Sequence, residues 1–542
     1  MPRLLWPAAL AALLVLGGGA STVAQPAPAA SAAPAFPLEF MRQAAWRRAE
    51  PGPSVRAIRS LLAQDPAAAA LKDRVEPLLL EAEALAGRGQ GPEAQRRLVE
   101  ARAILRGQAW TPAQAFASSL DLRAGAAIVD TARPLPLRIS QAFPQAPAPG
   151  LRLRLSLQAP GEAPAPLADL PAPRLRGQAL TLPVALAGAG EGRRTLLAEV
   201  VDGGTVLATA TSTLDLVADL GGREAAVRRR LATVTAGEAA RASVLYPFEL
   251  AGFVQSGRRE PERLPFAARL ARSEAVLAGL ERGQDIVVRG TGDQARHYQF
   301  AEAGEIMPYR LYVPTDWDGR EALPMAVVLH GGGGDENEMF NLDDGKLGKL
   351  AQRYRYIVVA PFGYRPVGAY GSPIRLPSVY GNPTREGRDV GGPERARMLK
   401  LSEQDVLNVL ELTAREYGAD RSRVFLTGHS MGGGGTWYLA HQHRQLWAGA
   451  AASAGPFFID GYDFERLRGL PLLIAQGDAD PPSLEPDRQL AADLLKRGIG
   501  VTYLETAGVN HGQTFGASLP SIFEFFERQK LKADPRKPLP FR

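Results

Sequence analysis

Gly428-His429-Ser430-Met431-Gly432 is the stretch of this chain whose residue types and spacing most directly suggest chemistry. A buried-looking apolar run, Val424 to Thr427, precedes it, and a helical pattern, Thr436 to His441, follows. A serine on a tight turn between strand and helix has its Oγ pushed clear of the sheet, within reach of a base. Flanking glycines avoid the Cβ clashes that such a turn creates. The corresponding chemistry is nucleophilic attack on an acyl carbon. The structural alternative is a loop that only packs a helix close to a sheet. Gly433-Gly434-Gly435, poor helix material, suits that packing as well.

A serine nucleophile needs a base. Of six histidines, His429 lies within the turn, His330 upstream, His441 and His443 on the helix after it, and His297 among early strands. Only His511, in Gly508-Val509-Asn510-His511-Gly512, follows the last sheet strand. Serine, acid and histidine in that chain order make His511 the base. The acid then belongs after the strand Leu472 to Ala475, where Gly477-Asp478-Ala479-Asp480 offers two carboxylates. Asp480 is preferred, one step further from the strand and stiffened by Pro481-Pro482; Asp478 is left to order the turn. The acid holds the imidazole tautomer and stabilises the imidazolium. Backbone N–H groups must meet the developing oxyanion. Met431 supplies one. Gly332 supplies the second, from His330-Gly331-Gly332-Gly333-Gly334 directly after the strand Ala326 to Leu329, with Gly331 or Gly333 as neighbours. Losing one such donor costs about 3–4 kcal/mol in the transition state. Turnover is expected to fall in acid, because imidazolium cannot take the serine proton.

The elements that position these residues read as alternating β and α. Ile286 to Val288, Tyr309 to Val313, Ala326 to Leu329, Ile357 to Ala360, Val424 to Thr427, Leu472 to Ala475 and Val501 to Leu504 are predicted strands, with a helix over Val406 to Tyr417. Continuous apolar strands are covered on both faces, so the fold class is α/β with a mostly parallel sheet. This region runs over residues 285–530, with a tail at 531–542. Before it, Leu38 to Ala109 has helical spacing, with Leu78, Leu79, Leu80, Ala82 and Leu85 on one broad face and a break at Gly87 to Gly91. The helical region is placed at 37–126. Leu151 to Leu157 alternates strictly, as a half-buried strand does. Asp202-Gly203-Gly204 between Leu196 to Val201 and Val206 to Ala210 is hairpin chemistry. A small all-β sandwich over 127–217 and a helical connector over 218–284, interrupted at Pro247 and Pro261, complete the front half.

Length and composition set the outer bounds. A chain of 542 residues suggests about three units. Apolar residues make up 45%, an ordinary globular fraction, and the net charge of +6 comes without Lys/Arg runs interleaved with aromatics, so no nucleic-acid partner is expected. Arg3, the apolar Leu4 to Leu16 and Thr22-Val23-Ala24 read as a signal peptide over 1–24, followed by a Pro/Ala-rich linker over 25–36. The apolar run is shorter than the ~20 residues of a membrane span. A secreted or periplasmic protein is expected, without stable membrane insertion after cleavage. The chain has no cysteine, which excludes disulfides, a thiol nucleophile and Cys-ligated zinc.

Ser402-Glu403-Gln404-Asp405-Val406, the stretch Asp420 to Gly433, Leu329 to Gly333 and Gln476 to Asp480 together resemble bacterial secreted esterases of the feruloyl-esterase and polyhydroxybutyrate-depolymerase-like branch of the α/β-hydrolases. The resemblance covers about 285–530. It implies an α/β-hydrolase domain that cleaves small-molecule or polymeric carboxylic esters through Ser430, Asp480 and His511, with no cofactor and no metal. In that family the acid is the Asp three residues after the Gly, here Asp480. The family often has His where this chain has Gln476, a position read as outside the catalytic set. Prolyl-oligopeptidase-like cousins share the serine turn, so a serine peptidase is the alternative, although no propeller-like repeat stands in front. A substrate- or surface-binding protein with an inactive hydrolase domain is a third reading, disfavoured because no triad member is missing. The segment Phe362 to Lys400, with Tyr364, Tyr370, Tyr380 and Arg365, Arg375, Arg385 and Arg388, is a candidate pocket wall. Tyr370 and Tyr380 are its expected substrate-binding residues, favouring aromatic or acidic esters; a solvated loop with packed tyrosines is the alternative. The sequence leaves the oligomeric state open.

Overall fold

The computed structural model describes residues 51–175, 177–186, 188–256, 265–373, 392–455 and 462–530. The expected leader, linker and tail, Pro261, Tyr380, Arg375, Arg385 and Arg388 lie outside the described residues. The described residues divide into two compact units, one holding 51–230 with 247–273, the other holding 231–246 and 274–530. The segment read as a connector is therefore shared between the two units. Pro247 does not interrupt it: a helix runs unbroken from Glu238 to Gln255. Among the described residues, no helix is long and apolar enough to cross a membrane.

In the first unit, helices Pro51–Gln64, Lys72–Gly87 and Gly91–Leu105 bury Ile58, Leu61, Val75, Leu79, Ala82 and Leu98 against one another. Leu80, which the pattern places on one broad face with Leu79 and Ala82, is 56% exposed. At 100° per residue, burying Val75, Leu79 and Ala82 turns position 80 outward. The β region begins earlier than residue 127, at the strand Leu120–Ala124, because Leu120 joins the same apolar core as Leu137 and Leu155. A three-stranded and a five-stranded sheet share that core. In the hairpin joining Gly192–Asp202 to Thr205–Val217, Gly203 and Gly204 both have positive φ, 54° and 95°. That is the conformation two-residue hairpin turns demand.

The second unit is built on an eight-stranded sheet. Its strands are β1 (Gly292–Phe300), β2 (Glu305–Val313), β3 (Met325–Leu329), β4 (Ile357–Pro361), β5 (Val424–His429), β6 (Gly449–Ser453), β7 (Leu472–Gly477) and β8 (Val501–Thr506). They lie in the order β8-β7-β6-β5-β3-β4-β2-β1. Strands β3 to β8 pair in parallel, and β2 pairs antiparallel with both β1 and β4. Alternate side chains feed two cores. Met325, Val327 and Leu329 face one side, where helices α2 (Pro393–Tyr417), α3 (Met431–Gln442) and α4 (Pro481–Lys496) contribute Val409, Trp437 and Leu494. Ala326 and Val328 face the other, where α1 (Lys346–Tyr354) and α5 (His511–Lys530) contribute Leu347, Leu519 and Phe526. This is a mixed α/β layer fold, and it explains why the strands read as unbroken apolar runs.

Two expectations about strands need correcting. Ile286 to Val288 is a turn, because the Asp285 carboxylate accepts hydrogen bonds from the amides of Val287 (2.9 Å) and Val288 (3.2 Å) and bends the backbone. The first strand is instead Gly292–Phe300, whose polar residues disguise it. β6 has no strand signal in the sequence, because Gly-Ala-Ala-Ala-Ser carries no β-branched or aromatic residue. Phe526 is fully buried, stacked on Phe425 with centroids 4.6 Å apart. Phe526→Ala should lower the unfolding free energy of this unit by about 3–5 kcal/mol in urea denaturation; a loss below about 1 kcal/mol would contradict the packing described.

Candidate active site

Ser430 occupies the turn between β5 and α3, with φ 53° and ψ −116°. A side chain disfavours that backbone, and the surroundings hold it. The Ser430 amide donates to the carbonyl of Ser453 (2.9 Å), and the Ser430 carbonyl accepts from Gly434 (3.0 Å). The glycines around it permit close approach. A Cβ on Gly432 would collide with the carbonyl oxygens of Leu329 and His330, and one on Gly433 would lie 2.5 Å from the Gly455 Cα. Glycine in the first turn of α3 therefore weakens the helix but lets it sit directly against the end of β3. The packing alternative and the nucleophilic reading thus describe the same glycines.

His511 opens α5. Its position is fixed by a reciprocal cap: the Gln513 amide donates to the Asn510 side-chain oxygen (3.2 Å), and the Asn510 amide donates to the Gln513 side chain (3.3 Å). His511 Nε2 lies 2.9 Å from Ser430 Oγ, and Nδ1 lies 2.7 Å from Asp480 Oδ2. A carboxylate only accepts, so Nδ1 carries the hydrogen and Nε2 offers its lone pair to the serine. Asp480 is 4% exposed, at the start of α4. Burial pushes its carboxyl up, but the hydrogen bond and charge of His511, with further bonds from Gln476 and Ser483, prevail and hold it below the usual carboxylate range. Asp478 instead accepts from the Gly508 amide at 2.6 Å, ordering the loop that leads to His511.

The loop after β3 runs alongside Ser430: a Cβ on Gly331 would stand 3.7 Å from the Ser430 Cβ. Gly333 has φ 80°, which glycine adopts without strain. Met431 is the first residue of α3, where helix N–H groups point beyond the end of the helix. The structure therefore brings Ser430, His511, Asp480, Met431 and the Gly331 to Gly333 loop together.

Tyr370 departs from expectation. It has no exposed surface, so it cannot form a pocket wall; its hydroxyl donates to the carbonyl of His330 at 3.0 Å. Burial follows from Gly363 and Gly435, each of which leaves room for its ring. Gln476 also needs correcting. Its amide donates to Asp480 Oδ2 (3.1 Å) and to the Gly477 carbonyl (3.0 Å), so it touches the acid of the constellation. Its place at the C-terminal end of β7, four residues before Asp480, was the available signal. The sequence places His429 within the turn, with no further role. Its ring lies 4.9 Å from that of His511, and burial, then the nearby His511 charge, lower it to about 3 despite Asp480, so it stays neutral.

No family model matches the chain. It is similar to feruloyl esterase B of Talaromyces stipitatus, 27% identical over 155 residues, which are 28% of this chain and 37% of that relative. The match thus spans little more than a third of the relative's length. Among solved structures, it is similar to the fluorophosphonate-binding serine hydrolase F of Staphylococcus aureus (16% identity, TM-score 0.33, covering 44% of this chain and 99% of that one). It is also similar to a ferulic acid esterase of Anaeromyces mucronatus (16%, TM-score 0.34, 43% and 89%) and an S-formylglutathione hydrolase of Agrobacterium tumefaciens (18%, TM-score 0.33, 44% and 95%).

One further carboxyl lies close by. Asp487 on α4 is 2% exposed, and burial, then the charge of Asp480, push it up to about 8. An acid whose folded value is raised takes up a proton on folding, so stability declines as pH rises from the unfolded value of about 4 towards 8. Asp487→Asn should abolish this decline, gaining Tm over the parent at pH 9 and little at pH 4; an equal change at both pH values would contradict the assignment.

Proposed function

We propose that this chain is a secreted serine hydrolase of the α/β-hydrolase type that cleaves carboxylic esters through Ser430, His511 and Asp480. The observation that carries the reading is the continuous hydrogen-bonded line from Ser430 Oγ to His511 Nε2 and from His511 Nδ1 to Asp480. The sheet order and the serine on its strained strand-to-helix turn support it.

In the first half-reaction His511 Nε2 takes the Ser430 proton as Oγ bonds to the ester carbonyl carbon. The carbonyl oxygen becomes an oxyanion facing the backbone N–H groups of Met431 and Gly332. Asp480 stabilises the imidazolium. The carbon–alkoxy bond then breaks, and the leaving alcohol takes the proton from His511. In the second half-reaction water gives a proton to His511, its oxygen bonds to the acyl carbon, and Ser430 recovers its proton as the carboxylic acid departs. Similarity to a feruloyl esterase makes hydroxycinnamoyl esters the substrates to try first. The N-terminal segment 1–24 is proposed as the export signal, removed before Gln25.

The test pairs p-nitrophenyl acetate and methyl ferulate with an aminoacyl p-nitroanilide. Ester hydrolysis should fall by about 10⁴-fold or more in Ser430→Ala and by about 10⁴-fold in Asp480→Asn, with both variants folded. Anilide cleavage that depends on Ser430 would instead favour a peptidase, and ester turnover unchanged in Ser430→Ala would refute the proposed nucleophile.

A further inference from the structure

The loop after β4 is held in an unfavourable conformation. Tyr364, Ala369 and Tyr370 have φ of 61°, 54° and 55°, between Gly363 at 72° and Gly371 at 89°. A non-glycine residue is strained in this region, and such strain persists only where the surroundings impose it. Two buried side chains one turn apart on α2 impose it here. Asp405 accepts from the amides of Gly363 (2.7 Å) and Tyr364 (3.0 Å) and from the hydroxyl of Tyr298 (2.6 Å). Ser402 donates to the Gly363 carbonyl (2.7 Å) and accepts from the Tyr370 amide (3.0 Å). Both residues are fully buried. Nothing in the serine–histidine–aspartate line touches them, yet the strain they hold is directed at one place.

That place is the glycine loop after β3. From the strained segment, the Tyr370 hydroxyl donates to the His330 carbonyl at 3.0 Å, and the Pro366 carbonyl accepts from the Gly333 amide at 2.8 Å. The His330 ring packs edge-on against Tyr370, with centroids 5.5 Å apart, and its Nε2 lies 2.9 Å from the Phe362 carbonyl. The two anchor points, His330 and Gly333, bracket Gly331 and Gly332. Within the loop the Gly331 carbonyl accepts from His330 Nδ1 (2.7 Å) and from the Gly334 amide (3.1 Å), so the Gly331–Gly332 peptide follows the placement of His330, which the strained segment holds. Oxyanion stabilisation requires donors already in place at the reacting distance.

We propose that Tyr370 is a positioning residue for the oxyanion site: clamped by Ser402, it fixes the Gly331 and Gly332 amides through its hydrogen bond to His330. The inference rests on the ester-hydrolase reading and assigns to that site a support outside the triad. A hydroxyl that only fills space would be replaced without kinetic effect, whereas one that sets the oxyanion donors affects the transition state more than the bound ester.

The test is steady-state hydrolysis of p-nitrophenyl acetate by the full chain carrying Tyr370→Phe, with Tm measured alongside and Ser430→Ala as the background control. The expected result is a kcat lowered about tenfold, with KM within about twofold of the parent and Tm nearly unchanged. An unchanged kcat, or a loss of kcat that comes with a raised KM and a collapsed Tm, would overturn the inference. If Tyr370→Phe does not fold, Ser402→Ala is judged by the same kcat-against-KM split. In either variant, hydrolysis that remains Ser430-dependent at full rate removes the inference and leaves the hydrolase reading intact. Absence of Ser430-dependent turnover in the parent removes both.

Discussion

The hydrogen bond between Ser430 Oγ and His511 Nε2 joins two residues 81 positions apart, and the architecture of this unit can be understood as the means of making it. Neither partner has freedom to search for the other. Ser430 is held on a left-handed turn by the end of β6 and by α3, and His511 by the cap that opens α5. Parallel strands bring both to the same end of the sheet, because β5 and β8 run in one direction and their following loops emerge together. Asp480, at the end of β7, completes the line from behind. The sheet order is what converts separation along the chain into contact at 2.9 Å.

Rigidity at this end comes at the expense of local comfort. Ser430, Tyr364, Ala369 and Tyr370 sit in backbone conformations that free peptides avoid, and α3 begins with glycines that weaken a helix. The compensation lies in buried groups that most strongly resist unpairing: the Asp405 carboxylate with its three donors, Ser402 with two partners, and the Gln476 amide on Asp480. A group buried with its hydrogen bonds made is costly to displace, because displacement leaves it unpaired. Strained turns and buried polar anchors thus occur together, on the face of the unit where Ser430, His511 and Asp480 converge.

Much of this was legible in the sequence for a physical reason. Apolar runs such as Ala326 to Leu329 and Val424 to Thr427 are unambiguous when a strand is covered on both faces, and short-range motifs such as Gly428 to Gly432 carry their geometry with them. Chain order then left one histidine at the position a base requires. Tertiary roles were not legible. Nothing local shows that Tyr370 turns inward beneath His330 rather than outward to a pocket, since the direction depends on space that Gly363 and Gly435 leave from different elements. By resemblance Gln476 reads as a position outside the catalytic set, although its place near the end of β7 aims it at Asp480. The strand β6 was hidden by its alanines, and Ile286 to Val288 imitated a strand that Asp285 turns aside.

The central claim is that Ser430 becomes covalently acylated with His511 as its base. Rapid acid quenching of the protein during turnover of p-nitrophenyl acetate, followed by peptide mass spectrometry, tests it directly. The account predicts an acetyl group on the peptide that contains Ser430, formed with the first burst of nitrophenol and absent when His511 is replaced by alanine. Ester hydrolysis without that adduct under conditions where deacylation is slow, or an acetyl group carried by another residue in step with turnover, would contradict it.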